Sequence, residues 1–508
     1  MRNSKKTSHI ICFTLYLMIM WVPFLYILGV NTIFEIILPN ERRLGLLVNS
    51  IKLGGCTVII SCLFGLLAAL FIHNSFFRNK WYRFFFIILM PIPYYIYALS
   101  WMYIVRILSG IWPKLLRFST QGFTACLFVE VMTFIPIATL LILIALEMRN
   151  CQIDEMALLY KGPSNVLLKN IIPDIFPYIV AAAGIIFIMS VTDFSVPSMF
   201  QYNTYALEIF SVYSRTGSVG ETYKLLLPLF VILLLPLSLI EEAIKKISKP
   251  QGSKFSLNIR YPLPLRVGMF NAFILLICQV ILPVLIFIIT AGNLETIYKS
   301  FEMIYEQIGT TMLIAIIASI ISIVCACMAS GVLVNNANGL LWFMALGTII
   351  IPGALQAMGI LDLINGSVIH GISMTVLLPG LGCAIKYLPF AVIILVCTIK
   401  RVDQNKKELA LLYSNKWYQY KLLELGMYLP GILGAMILVF FLSFGEEGII
   451  LVLMPPGAET VSVKIYNYLH YGASEYVSGF CLIVTLFMFM VEILVVLALR
   501  KRYRGKNG

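Results

Sequence analysis

Residues 154–165 read DEMALLYKGPSN, and residues 407–415 read KELALLYSN. Both stretches begin with charged residues, continue into a leucine-rich middle and lie between long apolar segments. Glu155 and Glu408 are 253 residues apart, so the two phrases share one register. The repetition predicts a chain made of two related halves.

The same register continues past the phrases without a gap. At the 253-residue spacing, Pro177 falls on Pro430 and Asp193 falls on Glu446. Each half therefore places a carboxylate at one depth of the span that follows its phrase. Chance supplies a shared hexapeptide among leucine-rich segments more readily than an ungapped register that ends in an acid. We therefore predict an internal duplication.

Composition places the chain in a membrane. Of its 508 residues, 60% are hydrophobic and 12% are charged, and the mean hydropathy is +0.93. A soluble protein carries about twice that charged fraction. Apolar runs of about 18 or more residues recur, and they lack the alternation of barrel strands, so they predict transmembrane helices. The predicted spans lie near 10–30, 44–72, 84–107, 122–148, 178–200, 224–241, 267–291, 308–334, 339–361, 373–398, 431–453 and 477–500.

The predicted fold is an all-α polytopic membrane protein with about 12 transmembrane helices in two pseudo-symmetric six-helix halves. The halves are placed at 1–245 and 267–508, and a basic linker that contains Pro, Gly and Ser joins them at 246–266. The repeated phrases lie in the loops at 150–177 and 399–430. Because six is an even number, the two halves run parallel in the membrane.

The net charge of +13 mainly indicates how the chain is oriented in the membrane. With the N-terminus in the cytoplasm, 26 of the 37 lysines and arginines fall in cytoplasmic segments and nine fall on the opposite side. This bias predicts that both termini and both phrases are cytoplasmic. We therefore expect membrane lipid, and no nucleic acid, to be the partner of the basic residues.

Each phrase is expected to form two short helices that meet at a bend. Asp154 is expected to cap a helix that begins near Glu155, Ser164 a second helix, and Asn405 the first helix of the other loop. The Leu-Leu-Tyr triplets in these loops are too apolar for free cytoplasmic segments. Either they pack on the protein's own span ends, or they dock on cytoplasmic partners, of which two copies or one twofold-symmetric partner would be needed.

The pattern E-x-A-L-L-Y after the fourth span of each half resembles the EAA loop of permease subunits of ABC importers that depend on a binding protein. The resemblance covers nearly the whole chain and implies the type I ABC importer permease fold (MetI-like). It implies that the loop helix couples to an ATP-hydrolysing subunit and that solute passes between the two halves. The ATPase-coupling residues carried over by position are Glu155, Ala157, Leu158, Gly162, Glu408, Ala410 and Leu411.

The sequence departs from the family pattern at a few positions. Met156 and Leu409 replace the first alanine, and Gly162 stands one place later than the usual glycine. Asn415 occupies the equivalent place in the second half, so that half lacks the glycine.

The resemblance also implies partners and a location. The implied partners are two copies of a cytoplasmic ABC ATPase subunit and an extracytoplasmic solute-binding protein. The implied location is the bacterial cytoplasmic (inner) membrane. The sequence contains no phosphate-binding loop, no zinc-binding helix and no nucleophile constellation, so we expect no catalytic residue and no bound cofactor, with ATP on the partner. Fusion of both halves in one chain most resembles the ferric iron permeases, and thiamine permeases are the next candidate.

Acids within the spans are candidates for the translocation pathway because charge in a membrane is costly. Asp193, Glu446 and Glu447 are the candidates, and the alternative is that they cap kinks where Pro and Gly residues free backbone donors. Glu130 has no mate at the 253-residue spacing and is expected to form hydrogen bonds between helices.

Other ionisable groups receive structural interpretations. Lys52 and Lys386 are expected to extend toward span ends, and Glu492 to lie near Arg500 and Lys501. The cysteines lie mostly inside spans and are read as packing residues, so no metal site is expected.

Two other classes of protein stay open at this point. A secondary transporter driven by an ion gradient also fits two six-span halves, although it does not need twin cytoplasmic loops. The third reading is a membrane scaffold for the assembly of other proteins.

Overall fold

The computed structural model describes residues 2–30, 40–74, 92–111, 121–149, 151–246, 259–334, 336, 338–366, 371, 374–414, 416–470 and 474–504. These residues form helices with short connections, and none of them lies in a β-strand. Within this part, nine helices are long and apolar enough to cross a membrane, or ten if one bent pair counts as one span. The predicted all-α integral membrane architecture is confirmed, and the count of twelve spans stays a prediction.

The helices are numbered here in chain order. Those of the first half are α1 Arg2–Val30, α2 Glu41–Asn74, α3 Tyr94–Ile111, α4 Phe123–Met148, α5 Cys151–Tyr160, α6 Pro163–Val166, α7 Ile172–Thr192, α8 Ser195–Met199, α9 Tyr205–Thr216, α10 Val219–Lys224 and α11 Leu226–Lys246. Those of the second half are α12 Leu263–Ala291, α13 Leu294–Leu333, α14 Gly339–Leu346, α15 Gly353–Asn365, α16 Leu377–Arg401, α17 Gln404–Tyr413, α18 Trp417–Phe444, α19 Gly448–Leu453, α20 Val461–His470 and α21 Ser474–Arg504. A π-helical turn, Leu167–Ile171, joins α6 to α7. Part of the predicted span 84–107, residues 84–91, lies outside the described residues.

Two predicted spans end earlier than expected. α7 ends at Thr192 and α18 at Phe444, eight and nine residues before the predicted ends of these spans. Asp193 and Glu446 therefore lie in the breaks after these helices, and their predicted placement inside continuous spans is wrong. The physical reason is that a carboxylate at a helix end accepts hydrogen bonds from the N–H groups of the next short helix.

One helix is longer than its apolar core. α13 starts at Leu294, 14 residues before the span predicted near 308, and Gly292 with φ +75° forms the tight turn in front of it. Ser300 and Ile304 are buried one turn apart, so the polar stretch has a packed helical face and is not a loop. α2 starts at Glu41, which is 253 residues before Leu294, so the repeat register holds at the helix starts.

The span predicted near 339–361 is broken. α14 continues into a 3₁₀ turn, Gly347–Ile350, and the chain then bends by 99° before α15. Pro352 lacks an N–H group, so it frees carbonyl oxygens in front of it. The amide of Gln356 donates to the carbonyls of Thr348 at 2.7 Å and Ile351 at 3.0 Å, which satisfies them inside the membrane.

The chain forms two compact units, and each unit takes segments from both predicted halves. The first unit consists of Met1–Asn40, Ile209–Gln251 and Met312–Ala458, and the second of Glu41–Glu208, Gly252–Thr311 and Glu459–Gly508. The halves themselves, with boundaries at 245 and 267, describe the sequence repeat and stay a prediction.

In the first unit, α1 packs against helices of the second half. The hydroxyl of Tyr16 donates to the carbonyl of Ala345 at 2.6 Å, and the indole N–H of Trp21 donates to Met344 at 2.7 Å. Both aromatic donors are thereby satisfied in a largely apolar environment. The leading helix of one half is therefore held by the other.

In the second unit, α12, the leading helix of the second half, packs against a helix of the first half. It packs against α2 of the first half and against α21. The core cluster of this unit runs through both halves and includes Ala68, Ile135, Leu146, Val166, Ile175, Ile259, Tyr261, Met269, Ala272 and Leu276.

Candidate functional site

The first repeated phrase forms α5, and a buried ion pair holds this helix in place. Asp154 does not cap it, because α5 begins three residues earlier, at Cys151. Its carboxylate instead accepts two hydrogen bonds from the guanidinium of Arg149, at 2.7 and 3.0 Å. Arg149 also donates to Asp174 near the start of α7, at 3.0 Å. This clamp of Arg149, Asp154 and Asp174 ties α5 to a membrane helix, and bidentate geometry makes it specific.

The clamp leaves one face of α5 without cover in the chain. The side chains of Leu159 and Tyr160 are 80% and 89% exposed, and Glu155 is exposed beside them. Ala157 and Leu158 turn the other way and pack partly against the core of the second unit. The helix therefore has a packed side and an apolar tip.

The phrase ends at the expected bend. Gly162 is exposed and precedes α6, which begins at Pro163. Ser164 does not cap this helix, because Gly162 occupies the cap position and no side chain bonds there. The fixed φ of proline at the first helical position accounts for the restart of the helix.

The second phrase forms α17. Asp403 caps it by accepting from the backbone N–H of Asn405 at 3.0 Å, so the cap predicted at Asn405 lies two residues too late. Glu408 and Leu411 are exposed, whereas Ala410 is buried. The chain bends after Ser414, and Asn415 lies outside the described residues.

The tips of α5 and α17 match position by position. Leu412 and Tyr413 are 80% and 83% exposed, and at the 253-residue spacing Leu159 and Tyr160 are 80% and 89% exposed. The reading that these leucines and tyrosines pack on the protein's own span ends is wrong for these four positions, although it holds for Leu158. Exposed apolar groups of this size mark an interaction surface.

The two helices have different supports. At the positions of the clamp residues, the second half carries Val402, Lys407 and Met427, which cannot form it. There the ammonium of Lys407 lies 5.5 Å from the ring centroid of Tyr428, a cation–π contact. Tyr428 in turn donates to Glu424 at 3.1 Å.

The acid of the first half caps a short helix. Asp193 accepts hydrogen bonds from the backbone N–H groups of Ser195 at 3.2 Å and Val196 at 3.1 Å, at the start of α8. Asp193 therefore caps a break in the helix, as the alternative interpretation of the span acids predicted. A place for Asp193 in the translocation pathway stays a prediction.

Glu446, the matching acid of the second half, caps a short helix and also forms an ion pair. Glu446 accepts from the N–H of Ile449 at 3.1 Å, three residues on as in the first half, and thereby caps α19. Its other oxygen accepts from Lys386 at 2.7 Å and from the hydroxyl of Tyr387. Lys386 therefore does not extend toward a span end as predicted, because a buried carboxylate 60 residues away pairs with it. Glu447 is half-buried, and its carbonyl accepts the N–H of Leu451.

A glycine lies against this ion pair. A Cβ atom on Gly353 would come within 2.8 Å of the Lys386 ammonium and 3.2 Å of a Glu446 oxygen. A larger residue at this first position of α15 would therefore have to displace the Lys386 ammonium from its place beside Glu446. Sequence reasoning missed this contact, although the Pro-Gly step in an apolar run was a signal.

Glu130 joins three helices of the second unit. The hydroxyl of Thr57 donates to it at 3.0 Å, and the hydroxyl of Ser190 donates to the same oxygen. This is the predicted helix-packing arrangement. Glu492 is buried, and neither of its carboxylate oxygens has a hydrogen-bond partner in the described part of the chain; the side chains of Arg500 and Lys501 lie outside that part.

No group of three or more His, Cys, Asp or Glu side chains suited to a metal ion occurs among the residues that the structure describes. Ten cysteines in this part are free thiols. The arrangement of the described residues therefore offers exposed apolar tips and hydrogen bonds within the membrane-spanning part.

Comparison with known families agrees with the geometry. Residues 61–251 match the family described as the binding-protein-dependent transport system inner membrane component. The match includes α5 with its clamp, so this region of the chain is similar to the permease components of ABC importers. Such permeases generally associate with an ATPase subunit and a solute-binding protein. None of the curated proteins matches the chain.

Proposed function

We propose that the whole chain is the permease subunit of an ATP-driven importer, with α5 and α17 as its two coupling helices. The single observation that carries the proposal is the matched exposure of the two tips at one register of an internal repeat. Two equivalent tips call for two copies of an ATPase subunit, one at each helix. ATP is bound and hydrolysed on those subunits, and this chain supplies the path for the solute.

The proposed topology follows from charge. The excess of lysine and arginine on the side of the termini supports cytoplasmic N- and C-termini in the bacterial cytoplasmic membrane. Solute arrives from an extracytoplasmic binding protein and moves inward as the ATPase subunits close and open.

Charge reversal at the coupling helices tests the proposal. Glu155→Lys with Glu408→Lys is expected to abolish co-purification of an ATPase subunit from native membranes, because both acids are exposed on the proposed docking faces. Glu302→Lys is the matched control, since Glu302 is exposed on the long helix α13 at the predicted opposite side of the membrane. Normal co-purification and normal uptake in the double variant would contradict the proposal.

Ferric iron is the proposed solute, and thiamine is the second candidate. The support is the fusion of both halves in one chain, which resembles iron permeases most and thiamine permeases next. The described residues offer no cluster of metal ligands, so selection of iron would fall to the binding protein. Uptake of radiolabelled ferric iron and of radiolabelled thiamine by cells with and without the chain separates the two.

A secondary transporter is separated by its energy source. Uptake that stops when the ATPase subunit is inactivated, and persists when the ion gradient is collapsed, supports the importer. The opposite pattern would support the secondary transporter, and uptake independent of this chain would support a scaffold.

A further inference from the structure

The described end of the linker is fixed to the membrane domain. Asn74, the last residue of α2, makes two hydrogen bonds with the backbone of Ile259. Its amide donates to the Ile259 carbonyl at 2.7 Å and accepts the Ile259 N–H at 2.6 Å. The side chains of Ile259 and Tyr261 are both buried. Two paired bonds and two buried side chains hold this short segment firmly.

The same segment lies beside the clamp of the first coupling helix. Burial raises the pKa of the Tyr261 hydroxyl, the charge of Asp154 raises this pKa further, and the charge of Arg149 lowers it. The charges of both clamp residues therefore influence the Tyr261 hydroxyl. Ile259 and Tyr261 also belong to the core cluster against which Ala157 and Leu158 of α5 pack.

At the repeat spacing, the second half lacks the asparagine of this arrangement. The position equivalent to Asn74 is Cys327, whose thiol cannot make the paired hydrogen bonds of an amide. α17 relies on the Asp403 cap and on the contact of Lys407 with Tyr428. A cap and a half-buried cation–π contact each contribute about 1 kcal/mol.

We propose that Asn74, Ile259 and Tyr261 form a linker brace that positions the first coupling helix and makes α5 stiffer than α17. The brace acts through the core cluster that Ile259 and Tyr261 share and against which Ala157 and Leu158 pack. Its members are positioning residues, because they are not proposed to contact the ATPase or the solute. Its importance for transport rests on the proposed coupling function, whereas its effect on α5 does not. The linker thereby does more than connect the halves: it supports one of the two docking tips.

Hydrogen–deuterium exchange of the full-length permease in nanodiscs, without any ATPase subunit, tests the brace. In the unaltered chain, the amides of residues 151–160 are expected to exchange at least about fivefold more slowly than those of 404–413, the factor that one net hydrogen bond implies. Asn74→Ala removes both bonds to Ile259 and is expected to speed exchange in α5 by about fivefold or more, with no change in α17. Asn74→Asp keeps the acceptor for the Ile259 N–H, so its exchange rate in α5 is expected to lie between those of the unaltered chain and Asn74→Ala.

Asn49→Ala is the matched control. Asn49 lies in the same helix and its amide donates to the carbonyl of Asn203 at 3.2 Å, near the start of α2 and away from the coupling loop. It is expected to leave exchange in α5 unchanged. The brace is refuted if Asn74→Ala leaves α5 unaffected, if the control speeds α5 equally, or if α5 and α17 exchange alike in the unaltered chain. These outcomes do not depend on ATPase binding, so they separate failure of the brace from failure of the coupling proposal.

Discussion

Truncation of Leu412 to alanine removes three carbon atoms from a side chain that is 80% exposed. Because this side chain buries little within the permease, the free energy of unfolding is expected to change by less than about 0.5 kcal/mol. Each methylene-sized group that docking buries contributes about 0.8 kcal/mol, so four-fifths of three such groups gives about 2 kcal/mol. The affinity for the ATPase subunit is therefore expected to fall roughly 25-fold.

The assay is equilibrium binding of the purified ATPase subunit to the permease in nanodiscs, with the thermal unfolding midpoint as the stability readout. Leu159→Ala is expected to behave like Leu412→Ala, because Leu159 is equally exposed. Leu294→Ala is the control, since Leu294 is 85% exposed at the start of α13, on the predicted extracytoplasmic side. If both tip variants bind within about twofold of the unaltered chain, the range of a neutral surface substitution, the tips are not docking sites.

The other predictions concern the acids at the span breaks. Glu446→Gln is expected to lower the free energy of unfolding by about 2 kcal/mol. Breaking a fully buried ion pair costs ~3–5 kcal/mol, and the expected cost is smaller here because the Lys386 side chain is 29% exposed. Adding Lys386→Met should recover part of the loss in a thermal unfolding assay; no recovery would show that the ion pair is not the cause. Gly353→Ala is expected to cost about 1–3 kcal/mol through its contact with the ion pair, and an unchanged melting midpoint would argue against that contact. Asp193→Asn with Glu446→Gln is expected to reduce uptake more than ATPase binding, and unchanged uptake would remove the pathway role.

Hydropathy and the repeat register predicted the class of fold and the two short helices α5 and α17. Long apolar runs have few alternatives in lipid, and an exposed Leu-Tyr tip in both copies follows from the shared phrase. The register also placed Asp193 and Glu446 at equivalent points, where both accept an N–H three residues on.

Averaged hydropathy could not show where a span breaks. The bend before Gly353 lies inside an apolar run, so only the Pro-Gly step signals it. The predicted span near 308 missed the first turns of α13 for the converse reason: their glutamates lower the mean hydropathy, although Ser300 and Ile304 are spaced for one buried face.

Partners distant in sequence lay beyond sequence reasoning. Lys386 was expected to extend toward a span end, and nothing local reveals its pairing with Glu446. Asp154 was expected to cap a helix because that is the local choice, whereas Arg149 offers two charged donors and prevails. The pairing of Asn74 with Ile259 likewise joins residues 185 positions apart.

We propose that the two tips lie on one side of the membrane and bind the ATPase subunits there. Tyr160→Cys and Tyr413→Cys, each introduced into a chain without its native cysteines, can be labelled with a membrane-impermeant maleimide in vesicles of defined orientation. Both are expected to react only in inside-out vesicles and to be protected by the bound ATPase subunit. Labelling of the two positions from opposite sides, or labelling that the ATPase subunit leaves unchanged, would contradict the account.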